Sequence, residues 1–149
     1  MAFLEGLFTL IGRIMLSAIF LGAAVNKIQD PAGTQAYMKN VGKMDQLYPQ
    51  DERTVMYLMW AAVGCLVVGG ISVLFGYKAR FGAFLLLVFL VAATYFFHPV
   101  WNLRGTEQFQ MQMTNFLKNC AMAGGLFIVL ARGAGRWSLD GPPRTFDEF

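Results

Sequence analysis

The sequence carries little charge: Asp, Glu, Lys and Arg make up only 14% of its 149 residues. A domain that keeps its surface in water holds roughly 25%. Hydrophobic residues reach 56% and the mean hydropathy is +0.49. Too little polar surface is left to wrap a core, which excludes a water-soluble monomer. Cysteine is scarce as well. Cys65 and Cys120 each stand alone, so a disulfide scaffold is excluded and both read as small apolar packing residues. A single histidine, His98, gives neither a bis-histidine haem nor a zinc set, and no covalent cofactor is expected. Glycine shows no period and the apolar fraction is too high for disorder. The twelve Lys and Arg give a net charge of +3, but they are scattered without a basic run, so nucleic acid is not an expected partner.

What is present is hydrophobic length. Apolar segments occupy residues 3–28, 55–75, 77–97 and 111–131, and a membrane-spanning helix needs about 20 such residues. The expectation is an all-α, four-helix transmembrane bundle in one domain over residues 1–149, with lipid as its first partner. The first segment does not read as a cleavable signal, because Glu5 occupies the place of the cationic region. Gly76, Tyr77, Lys78, Ala79 and Arg80 form a tight joint between the second and third segments. A longer joint precedes the second segment, and within it Thr34 to Met38 and Val41 predict a short amphipathic helix. The tail after Arg132, with Pro142 and Pro143, reads as extended. Lys78, Arg80, Arg132, Arg136 and Arg144 lie on the side of both termini, tight against the helix ends. Lys27, Lys39, Lys43, Arg53 and Arg104 lie opposite. The tighter set places the termini in the cytoplasm of a multi-pass inner-membrane protein.

Ionisable groups inside hydrocarbon cost about 2.5–3.5 kcal/mol each and mark candidate sites. Arg13, Ser17, Phe20, Ala24 and Lys27 share one face of the first segment. Thr94 and His98 share a face of the third, and Gln108, Gln112, Asn115, Lys118, Asn119 and Met122 form a polar run in the fourth. Arg13, His98, Lys118 and Asn119 are therefore expected to converge in a pocket with Lys27 at its rim. Two readings stand for these cations. Either Glu107 and backbone carbonyls satisfy them, or they hold a bound anion or a polar headgroup. Gly69, Gly70 and the run from Ala121 to Gly125 are expected to pack helices closely.

Three stretches resemble the DoxX family of small bacterial membrane proteins: "GRIMLSAIFLGAAVNKIQDPAGTQAYMKNVG", "GGISVLFGYKARFGAFLLLVFLVAATYFFH" and "FLKNCAMAGGLFIVLARGAGRWSLD". The resemblance implies a four-helix membrane fold. It matches Arg13, Lys27, His98, Lys118 and Asn119 to positions typical of the family. It also implies a redox setting, since some relatives are linked to thiosulfate oxidation with quinone as acceptor and others to membrane-bound oxidoreductase assemblies. One departure is visible: many relatives have a Glu about ten residues before the Gly of the short turn, where this chain has Leu66.

Three functions follow as expectations. The first is an accessory subunit of an oxidoreductase system whose pocket takes a quinone headgroup or a small sulfur oxyanion, with a partner protein or a second copy beside it. The second is a non-catalytic scaffold or assembly partner. The third is a small transporter, against which stands the lack of a visible inverted repeat or broken helix. With neither a nucleophile set nor a metal-ligand set, the chain is expected to bind a redox carrier rather than transfer electrons unaided.

Overall fold

The computed structural model describes residues 2–41, 51–98, 100 and 105–141. The charges at Lys43, Arg104 and Arg144 and the expected extended tail at Pro142 and Pro143 lie outside the described residues. Helix α1 spans Ala2–Gln29, α2 Pro31–Val41, α3 Glu52–Phe75, α4 Ala79–Phe97 and α5 Phe109–Arg132. All but α2 are long and apolar enough to cross a membrane. The four apolar segments are thus the four long helices.

Their ends follow from local chemistry. Asp30 stops α1 and caps α2: its Oδ1 accepts the Gly33 N–H at 2.8 Å, and its carbonyl accepts from the Thr34 N–H and hydroxyl. Pro31 then fits the first helical position, where a missing N–H costs nothing. That is why α2 begins three residues earlier than the amphipathic pattern indicates. Gly76 ends α3 in the left-handed region at φ 66, and Lys78 follows at φ 48. Those two residues use up the joint, so α4 starts at Ala79 rather than at Tyr77.

Helix α3 is the central element, packing along α1 on one side and α4 on the other, while α5 packs along α4. Phe20, Leu66, Val73, Leu86 and Leu126 form the main core. A Cβ on Gly69 would lie 2.7 Å from Leu86 Cγ and 3.0 Å from the Gly82 carbonyl, so α3 and α4 meet backbone to backbone. A second, smaller core joins Met38 of α2 to Val55 and Met59 of α3. It docks the short helix under the end of α3 rather than leaving it free on the surface.

Candidate functional site

Helices α1 and α5 approach each other where a Cβ on Gly125 would meet Leu16 at 3.5 Å. Beyond that point, away from the termini, they part. A cavity of about 640 Å³ fills the gap between α1, α3, α4 and α5, with α2 lying across one end. Its inner walls are apolar: Phe20, Met59, Ala62, Leu90, Met38 and Met122. Tyr37 of α2 stacks on Phe97 of α4, centroid to centroid 5.6 Å, and ties the short helix to the cavity's rim.

The polar residues collect at the same rim and are mostly committed to one another. His98 Nδ1 lies 2.7 Å from Gln112 Oε1. A carbonyl oxygen can only accept, so Nδ1 carries the hydrogen toward Gln112 and Nε2 is left for another partner. One turn deeper, Asn119 donates to the Thr94 hydroxyl at 2.8 Å, which donates in turn to the Leu90 carbonyl at 2.6 Å. These two rungs join antiparallel α4 and α5 four residues apart on one and seven on the other. Lys27 is half-buried among the lining residues, and no carboxylate pairs with it among the described residues. The rim therefore offers an ammonium, an imidazole nitrogen and an amide, backed by an apolar chamber. That set can hold a molecule with a hydrogen-bonding head and an apolar body. Among the described residues no group of three metal-ligating side chains occurs.

The opposite end of the bundle is closed. The segment after α5 folds back over the α3–α4 turn: Leu139 and Asp140 donate their N–H groups to the Phe75 and Gly76 carbonyls. The Asp140 carboxylate accepts from the Lys78 and Ala79 N–H groups at 2.8 and 2.9 Å. It thereby satisfies orphan donors at the start of α4. Trp137 packs edge-on against Phe3 at 5.0 Å, which puts the first turn of α1 and the end of the described chain on one side. Beneath this clasp lies Arg13, only 3% exposed, donating from Nη2 to the Trp137 carbonyl. Its Nε and Nη1, and the hydroxyl of the fully buried Ser17, have no hydrogen-bond partner among the described residues.

A DoxX profile matches residues 8–99, which run from α1 through the His98 cap of α4. The chain belongs to the DoxX family. It is also 29% identical over 137 residues to the inner membrane protein YqjF of Escherichia coli (strain K12), with 92% of each chain covered. No solved structure matches.

In this DoxX chain the five residues singled out from the sequence part into three places. Lys27, His98 and Asn119 line the cavity. Arg13 does not join them, which corrects the expected convergence. A helical side chain leans toward the helix N-terminus, so the long guanidinium reaches the terminal side and ends under the clasp. Lys118 also stays outside, exposed on the outer face of α5. Neighbouring helical residues point about 100° apart; on α5 the cavity takes Asn119 and Met122, and Lys118 is turned away from it. Glu107, the carboxylate expected beside the cations, is itself exposed; the carbonyl of Trp137 meets Arg13 instead. Leu66 is fully buried in the main core, where the pattern of relatives would put a carboxyl group. Spacing along single segments does not mark Asn26, Tyr37, Trp137 or Asp140 as site or clasp residues. Asp140 lies in the quoted ending of the family pattern, but only the fold shows that it caps α4.

Proposed function

We propose that this DoxX-family chain is an accessory subunit of a bacterial inner-membrane oxidoreductase system, and that its cavity takes the headgroup of a quinone. The observation that carries the reading is the cavity itself, with Lys27, His98 and Asn119 at the rim of an apolar chamber of about 640 Å³. A quinone carbonyl accepts hydrogen bonds, which Lys27 and Asn119 can donate, and charge-assisted bonds are the stronger kind. The apolar walls suit a ring and the start of an isoprenoid tail. A small sulfur oxyanion would use Lys27 but gain nothing from Phe20, Leu90 and Met122, so the quinone is preferred. The redox setting comes from the family resemblance, and the inner membrane from that and from the relative's name. The whole chain acts as one unit, with both termini in the cytoplasm beside Lys78, Arg80, Arg132 and Arg136.

The test is the quinone retained by protein purified from bacterial membranes in mild detergent. Replacing Lys27 by Met together with Asn119 by Leu should lower retention at least tenfold while helix content persists. Unchanged retention would leave the cavity structural and favour the scaffold reading. Protein that moves a solute across sealed vesicles without a partner would favour transport.

A further inference from the structure

Lys118 stands on the long helix whose apolar stretch is least buried among the described elements. Helix α5 packs along α4, and 11% of its most apolar stretch is buried, against 33% for α3. The outward face of α5 carries Thr114, Lys118, Ala121 and Gly124, all exposed. A Cβ on Gly124 would meet nothing within 4 Å. Lys118 lies nine residues after Phe109 in a helix of 24 residues, which is about 4 Å from its midpoint at 1.5 Å per residue. With α5 centred in a hydrocarbon layer about 30 Å thick, the nearer interface is about 11 Å away. An extended lysine reaches about 6 Å, so snorkelling leaves the ammonium short of water. No hydrogen bond or ion pair meets it among the described residues. A cation facing lipid at this depth is costly, and the cost is removed when a carboxylate covers it.

A second copy of this chain does not supply that carboxylate. The five helices hold two acidic residues, Glu5 in the first turn of α1 and Glu52 in the first turn of α3, both at helix ends. Two copies related by an axis along the membrane normal would set Lys118 against Lys118 at equal depth, and like charges repel. The small residues Ala121 and Gly124 leave room for a close helix. We infer that the outer face of α5 docks a transmembrane helix of a different protein, one that carries an Asp or Glu at bilayer depth against Lys118. This rests on the accessory-subunit reading and names the chemistry of the partner.

The experiment places a photo-crosslinking amino acid at Ala121 in the full chain, in the membranes of its own host, and identifies the captured peptide by mass spectrometry. The expected adduct is a transmembrane segment of another protein containing Asp or Glu. Lys118→Arg should leave its yield within twofold. Lys118→Glu should lower it at least tenfold, and changing the partner's carboxylate to Lys should restore it. Lys118→Met guards against a folding defect: it should keep the thermal midpoint in detergent and still lose the adduct. An adduct with lipid only, with a second copy, or with a segment lacking a carboxylate overturns the inference. So does a yield indifferent to the charge at position 118. A second probe at Phe84, exposed on α4, separates the two readings. A partner captured there and not at Ala121 overturns this inference and leaves the accessory reading standing. No protein captured at either position overturns both.

Discussion

Arg13 and Lys27 lie fourteen positions apart on the same helix, yet one is locked and the other is held in reserve. Around Arg13 the chain folds back on itself. The segment after α5 crosses the α3–α4 turn, Asp140 caps α4, and the Trp137 carbonyl takes the Arg13 guanidinium. Around Lys27 the helices part, and the polar groups that do pair, His98 with Gln112 and Asn119 with Thr94, leave the ammonium uncommitted. The same residue class thus serves cohesion at one end and lines an open cavity at the other. What separates them is backbone close by: α1 at Arg13 is roofed by carbonyls of an irregular segment, whereas α1 at Lys27 borders a cavity.

Disruptions of the clasp should therefore act on stability, and disruptions of the cavity on ligand. Gly76→Val should act most strongly. Gly76 has positive φ, and a Cβ there would run into Arg13, Ser138 and Ala134. Strain and overpacking together should cost about 3 kcal/mol, seen as a lowered thermal midpoint in detergent; an unchanged midpoint would break the account of the clasp. Arg13→Met comes next. It leaves the Trp137 carbonyl without its donor, which should cost about 2 kcal/mol, with quinone content per folded protein unchanged. A selective loss of quinone would instead tie Arg13 to the cavity.

Asp140→Ala removes the cap from two N–H groups of α4, a loss of about 1–1.5 kcal/mol. Because Asp140 also holds the returning segment, trypsin should then cut after the exposed Arg136 several times faster. The smallest stability effect belongs to Lys27→Met, within about 0.5 kcal/mol, since no pairing is lost. Retained quinone should nonetheless fall several-fold. A large drop in stability with ligand unaffected would erase the contrast between the two ends.

Much of this was legible beforehand, and for identifiable reasons. The helices at 3–28, 55–75 and 111–131 are set by hydrophobic length, which depends on nothing outside each segment, and each emerged extended by one to three residues per changed end. The His98 and Thr94 face was legible from their spacing of four. The shared pocket of Arg13 and Lys118 was not. Helical spacing gives the direction of a Cβ but not where a long side chain ends, and it tolerates two adjacent residues on one stripe.

By itself the sequence determined that four helices form, where they break, and that three cations would be placed where hydrocarbon is near. Apolar run length, the Asp30-Pro31 boundary and Gly76 are local instructions that need no partner. Where each cation would end up was decided only by tertiary structure. Arg13 needed the return of Trp137 from 124 positions away, Lys27 needed α1 and α5 to part above Gly125, and Lys118 needed α5 to turn Asn119 inward. Each outcome depends on how helices distant in sequence cross, a relation that no spacing within a single segment contains.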